Sequence, residues 1–217
     1  MGLINFGIPF EITDWFINQL ELDVFVEGGT YMGNTAKKMS TMFNKVYTIE
    51  NSSTMYEYSK KNLSSIKNIT QIKGDTRSHL KKLVKENDNL LFWLDSHWSG
   101  GDTYGEDDEC PVLEELEIIF EHDKNYVILI DDARLFLSPP PIPHQIGNWP
   151  SYKEIIDSLP KNWESLVFDD VIYVFPEKIS NQFKLEIQRL NTLKNTSTSA
   201  KNYAINFFKS LANKLKA

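Results

Sequence analysis

Two apolar runs end in acids that could share one site. Phe92-Trp-Leu closes on Asp95, followed by Ser96, His97 and Trp98, and Val127-Ile-Leu-Ile closes on Asp131 and Asp132. A histidine beside a carboxylate suits proton removal from an acceptor, because an imidazole titrates near neutrality. Three carboxylates at neighbouring strand ends would repel one another unless bound protons or a divalent cation neutralise them, and hard oxygen donors suit Mg²⁺ or Ca²⁺. A third cluster has a different task. Between Asp23 and Gly33 a short apolar strand ends in Glu27 and breaks into Gly28 and Gly29, ahead of a helical stretch opened by Gly33, Asn34 and Thr35. Glycines remove the Cβ atoms that would hold a ligand off the backbone, and N–H groups at a helix start supply donors. Glu50 closes the next apolar strand, where a carboxylate can accept hydrogen bonds from both hydroxyls of a ribose. A nucleotide-like ligand is therefore expected at this corner. Neither common phosphate motif is complete: Thr30 replaces the second glycine of a dinucleotide fingerprint, and no lysine follows Gly33 as a P-loop requires.

The elements that must position these groups alternate. Near-continuous apolar runs predict parallel strands at 23–27, 46–50, 69–73, 90–95 and 126–131, covered on both faces. Apolar spacing predicts helices over 33–43, 53–65, 76–86 and 111–122, with Pro111 acceptable in a first turn. Trp163–Phe168 and Val171–Phe175 are strand-like and separated only by Asp169 and Asp170, which reads as a hairpin. Open α/β sheets place their crevice at the carboxyl ends of the strands, and both acid clusters arrive there.

Four ordered stretches resemble the class I S-adenosylmethionine-dependent methyltransferases: Val26–Gly33, Val46–Glu50, Ile72–Asp75 and Phe92–Asp95. The resemblance spans roughly residues 20 to 176. It implies a Rossmann-like seven-stranded α/β sheet, mostly parallel with a C-terminal antiparallel hairpin and helices on both faces. It also implies S-adenosylmethionine as cofactor, with Glu27 and Gly29 against its methionine part, Glu50 on the ribose and Asp75 near the adenine. Gly28, Thr30, Gly33, Asn34, Thr35, Thr76 and Asp95 complete the expected cofactor contacts. The Asp-x-His-Trp end paired with a later Asp-Asp end is similar to cation-dependent small-molecule O-methyltransferases, and more loosely to sugar O-methyltransferases. That likeness implies a divalent metal, such as Mg²⁺, on Asp95, Asp131 and Asp132. In this chain Ser96 is inserted before the histidine, and Asp132 stands where the catechol enzymes carry an amide.

Composition bounds these readings. A chain of 217 residues, 41% hydrophobic, can bury one core of ordinary size. Residues 1–176 read as the transferase domain, with 1–20 as an N-terminal helical cap, and 177–217 as a basic helical extension. The extension has eight Lys or Arg against two acids, whereas 1–176 has 15 bases against 28 acids. An acidic body is a poor nucleic-acid groove, so a small-molecule acceptor is expected and nucleic acid is not. No run approaches the ~20 apolar residues of a membrane helix, and the start lacks a basic segment followed by an apolar one. A single cysteine, Cys110, fits a reducing cytoplasm and reads as a packing residue.

Several residues have two readings. His97 is a general base or a hydrogen-bonded strand-end residue. Arg134 is a clamp for a phosphate or carboxylate, or the partner of a nearby acid. Trp98 is expected beside the acceptor, while His79, His122 and His144 read as structural or solvated. The Ser99–Glu109 insert is a lid or a solvated loop, and the proline-rich Leu137–Trp149 segment is expected to shape the acceptor pocket. Tyr203, Phe207, Leu211 and Leu215 form one helical stripe, suited to its own domain, a second subunit in a homo-oligomer, or a membrane surface. The functions in play are O-methylation with a metal, O-methylation with His97 alone as base, and a non-catalytic nucleotide-binding scaffold.

Overall fold

The computed structural model describes residues 7–98, 105 and 108–196. The chain divides into two compact units, Met1–Pro176 and Glu177–Ala217. In the first unit α1 (Phe10–Leu20) precedes β1 (Val24–Gly28), α2 (Asn34–Met39), β2 (Lys45–Glu50), α3 (Ser53–Leu63), β3 (Ile69–Lys73), α4 (Thr76–Glu86) and β4 (Leu90–Leu94). Next come α5 (Val112–Phe120), β5 (Tyr126–Ile130), α6 (Arg134–Leu137), α7 (Tyr152–Asp157), β6 (Trp163–Phe168) and β7 (Val171–Pro176). The seven strands form one sheet in the order β3-β2-β1-β4-β5-β7-β6. The first five are parallel, and β7 runs antiparallel to both β5 and β6. Every residue of β1, β4 and β5 is buried, as strands covered on both faces must be.

One face of the sheet is sealed by Leu80, Leu83 and Val84 of α4 and Leu116 and Ile119 of α5, packed with Phe92 and Ile128. On the sheet's α1 side, Phe16 lies 6.3 Å from Tyr173 and 6.5 Å from Phe175, and Phe25 lies 5.4 Å from Phe43. Each such side chain contributes about 1.5–3 kcal/mol on leaving water, so the apolar periodicity alone goes far to select this layering.

Local chemistry sets the element ends. Ser52 accepts from Met55 N–H, Asp75 from Arg77 N–H, and Ser151 with Glu154 forms a capping box. α2 stops at Met39, short of the predicted residue 43, because Ser40 and Thr41 turn their hydroxyls onto the carbonyls of Lys37 and Lys38. Asp169 and Asp170 have φ of 50° and 65°, the left-handed pair that a two-residue hairpin needs to follow the strand twist. The strand order reverses between β1 and β4, which places a crevice beyond Gly28 and Leu94.

Described by itself, the second unit is helical over 177–196, with Ile179, Phe183, Ile187 and Leu190 buried along one stripe. The Tyr203–Leu215 stripe, most of the Ser99–Glu109 insert and the polar stretch beyond 196 lie outside the described residues. Among the described residues no helix is long and apolar enough to cross a membrane.

Candidate active site

The backbone makes its closest approach where β1 ends. Gly29 has φ +88°, and a Cβ built on it would sit 2.2 Å from the Asp95 carbonyl oxygen, so only glycine fits between the tips of β1 and β4. Gly29 and Thr30 donate their N–H groups to the Ile49 carbonyl at 3.0 and 3.2 Å, and Gly33 donates to Thr30 at 2.8 Å, closing the turn. Glu50 is fixed by two backbone donors, Tyr31 N–H at 2.8 Å and Ser52 N–H at 2.7 Å, one on each oxygen. Each oxygen keeps an acceptor site, which is what a ribose diol requires. The side chain of Thr30 turns inward: it contacts Thr48 Oγ at 2.6 Å, and Thr48 donates to Glu27 at 2.5 Å. Thr48 has one proton to give, so Thr30 must donate to Thr48. Thr30 therefore offers the crevice its backbone and not its hydroxyl. Desolvation, with the nearby charges of Asp95 and Glu50, pushes Glu27 up to about 8 despite the Thr48 hydrogen bond.

Asp75 follows the turn at the end of β3. It caps α4, and Arg77 binds both its oxygens, at 3.0 Å through Nε and 2.6 Å through Nη2. Arg77 also pairs with Asp108 and Glu114. Thr76 is buried beneath Gly28, 3.0 Å from a Cβ placed there. Asn34 and Thr35 open α2.

The acid edge is a network of carboxylates and cations. His97 Nε2 lies 3.1 Å from Asp132, and Nδ1 lies 3.8 Å from Asp95. Arg134 Nη1 donates to the other Asp132 oxygen at 2.6 Å and also to Asp170. Asp170 further accepts the Arg134 backbone N–H at 2.9 Å. Asp132 sits at φ +58°, a strained conformation for a non-glycine, and Asp131 holds its N–H at 2.8 Å. Desolvation opposes ionisation of Asp132, but the His97 and Arg134 hydrogen bonds outweigh it and hold the carboxyl well below the usual range. Asp131 accepts the Asp132 N–H and Asp95 lies near His97, contacts too weak to offset their burial. Burial first, then neighbouring negative charge, pushes them up to about 7 and about 6. Burial lowers His97, and the Asp132 bond with the Asp95 and Asp132 charges raises it by more.

This network corrects the metal expectation. Asp95, Asp131 and Asp132 are neighbours, yet among the described residues no group of three or more His, Cys, Asp or Glu is arranged to hold a metal ion. Both Asp132 oxygens are engaged, one by His97 and the other by Arg134. The donor set does not fit a divalent ion. Arg134 takes the second of its readings, as the partner of Asp132 and Asp170. Trp98 is buried, its ring edge on His144 at 5.4 Å. Cys110 is half-buried, and desolvation pushes its thiol up to about 12, which removes it as a nucleophile.

Four groups escaped the sequence reading. Ser96 donates to buried Glu115 at 2.6 Å, and burial pushes Glu115 up to about 7. Asp170 was legible only as a turn residue. Glu109 accepts from Trp149 and from the Gln145 N–H and also meets His144 Nδ1. A small cleft lies among Ser96, His97, Cys110, Glu115 and Phe136.

Comparison with known proteins fits this geometry. A family model described as RNA cap guanine-N2 methyltransferase matches residues 18–124. The fold also aligns with solved methyltransferases. A Staphylococcus aureus protein described as a caffeoyl-CoA O-methyltransferase is 16% identical, with 79% of this chain and 84% of that chain covered and a TM-score of 0.54. A Geobacter metallireducens precorrin-6y C5,15-methyltransferase is 12% identical, covering 80% and 90%, with a TM-score of 0.50. The chain is a class I S-adenosylmethionine-dependent methyltransferase. No curated protein matches it. The glycine turn and the N–H-fixed Glu50 suit this enzyme's S-adenosylmethionine, and the family match covers that cofactor half. It includes Asp95, His97 and Glu109 and ends before Asp131, Asp132, Arg134 and Trp149.

Proposed function

We propose that this methyltransferase acts on a hydroxyl of a small polar acceptor, a sugar or nucleotide-linked glycan precursor, with His97 as general base and no metal. The observation that carries the reading is the orientation of one imidazole. Nε2 lies 3.1 Å from Asp132, a carboxylate that only accepts, so Nε2 donates there and the neutral form of His97 carries its acceptor at Nδ1, 3.8 Å from Asp95. Asp95 in turn abuts Gly29, at the cofactor corner. Bound S-adenosylmethionine supplies an electrophilic methyl group, and the chain's residues have only to orient the acceptor, take its proton and exclude water. Nδ1 takes the hydroxyl proton while Asp132, backed by Arg134, stabilises the imidazolium that forms. Glu27, Gly28, Gly29, Gly33, Asn34, Thr35, Glu50, Thr76 and Asp95 line the donor side in this reading. The reading also includes a cytoplasmic enzyme with its transferase domain in 1–176, and a 177–217 extension that serves homo-oligomer contacts.

A second reading, transfer to the exocyclic amine of a guanine in RNA, is favoured by the family match and by the aromatic rings around His97. One experiment separates the two. Wild type and His97→Ala are assayed on a panel of sugars, nucleotide sugars and a capped RNA oligonucleotide, with S-adenosylhomocysteine affinity as control. The expected result is transfer to a hydroxyl that falls about 10²- to 10⁴-fold in the variant with unchanged affinity for the spent donor. Transfer confined to the RNA, or full activity of the variant, overturns the proposal.

A further inference from the structure

Glu109 is a buried carboxylate outside the proposed proton-transfer step. It is 1% exposed. One oxygen accepts the Trp149 indole N–H at 2.6 Å and meets His144 Nδ1 at 2.9 Å, and the other accepts the Gln145 backbone N–H at 2.9 Å. Its carbonyl accepts the Trp98 N–H at 2.8 Å. One residue thus joins the segment carrying His97 and Trp98 to the segment 144–149. The rings between them interlock edge to face: Trp149 lies 5.3 Å from His97 and 5.1 Å from His144, and His144 lies 5.4 Å from Trp98. Phe136 closes the far side of Trp149 at 5.6 Å.

The geometry points to Glu109 as a positioning residue for His97. By anchoring the Trp149 indole against the imidazole, it keeps water off the Nε2–Asp132 bond and holds Nδ1 on the Asp95 side. The role rests on the reading of His97 as base only for its catalytic consequence. The charge of Glu109 matters because a carboxylate only accepts, and the N–H groups around it need acceptors. An amide there would turn its NH₂ toward at least one donor and leave that donor unpaired. Burial raises the Glu109 pKa, and the Gln145, Trp149 and His144 bonds lower it by more, so the group stays ionised.

The test is ¹⁵N-histidine NMR at fixed pH on wild type and Glu109→Gln, recording the tautomer of His97 and the exchange of its Nε2–H with water. The expected result is exchange faster by about tenfold, the factor one such hydrogen bond is worth, with the S-adenosylhomocysteine affinity unchanged. A purely structural Glu109 would lower the melting temperature and leave His97 exchange in the folded protein as it was, which overturns the proposal. Trp149→Phe keeps an aromatic ring and removes the N–H, so it is expected to speed exchange in the same direction. Should Glu109→Gln fail to fold, Trp149→Phe decides, and unchanged exchange there overturns the proposal as well. The two readings fail separately: faster exchange in Glu109→Gln alongside full transfer by His97→Ala removes the base and leaves the positioning role standing.

Discussion

Replacing Gly29 by alanine puts a carbon where the end of β4 already has an oxygen. The new Cβ would lie 2.2 Å from the Asp95 carbonyl oxygen and 2.8 Å from its carbon. Both are backbone atoms, in a strand tip fixed by Asp95 N–H to the Gly28 carbonyl at 3.0 Å, so neither can turn aside as a side chain would. The φ of +88° adds a left-handed penalty of about 1–2 kcal/mol for a residue with a Cβ, and relieving the overlap by backbone shifts adds roughly 1–3 kcal/mol. The expected loss is about 2–5 kcal/mol, or roughly 4–20 °C in melting temperature for a chain of this length. The assay is thermal unfolding with and without S-adenosylhomocysteine, with Gly147→Ala as control. A Cβ at Gly147 meets nothing within 4 Å, so that variant should melt within about 2 °C of wild type. A Gly29→Ala protein that melts with wild type and binds the spent donor equally well would refute the close approach of the two strand tips, and with it the placement of the crevice.

Further outcomes follow from the buried charges. Glu27 has a folded-state pKa of about 8 against an ordinary 4.5, so the folded protein holds a proton that the unfolded chain releases; stability falls as pH rises from 4.5 through about 8, by roughly 3–5 kcal/mol. Glu27→Gln should flatten that slope in urea titrations across this window, and an unaltered slope would assign it to other groups. Asp132 behaves oppositely: its depressed pKa contributes stability above its ordinary value, and that stability is lost as pH falls through the folded value. Asp132→Asn should cost roughly 2–3 kcal/mol at neutral pH and lessen the acid loss, as read by denaturation at pH 7 and pH 3. Chelation by EDTA or addition of Mg²⁺ should leave melting temperature and spent-donor affinity unchanged, since His97 and Arg134 occupy both Asp132 oxygens; a Mg²⁺-dependent rise in either would restore a metal to the site.

Much of the scaffold was legible in the linear chain because its signals are local. Continuous apolar runs give buried parallel strands, and Asp169-Asp170 turns a hairpin because short polar side chains tolerate left-handed backbone. The strand-end acids were legible for the same reason, as the register that pairs Leu94 with Ile130 sets Asp95 beside Asp131. Which charges neutralise them was not. Arg134 meets Asp170 across 36 positions, and Trp149 meets Glu109 across 40, pairings that exist only because β7 inserts beside β5 and the 144–149 segment returns over the strand tips. The sequence alone set the fold, through propensity, glycine geometry and periodic burial. Only the tertiary structure decided that His97 pairs with Asp132 and Arg134 with Asp170, because such pairings depend on distances of a few ångströms between groups far apart in the chain.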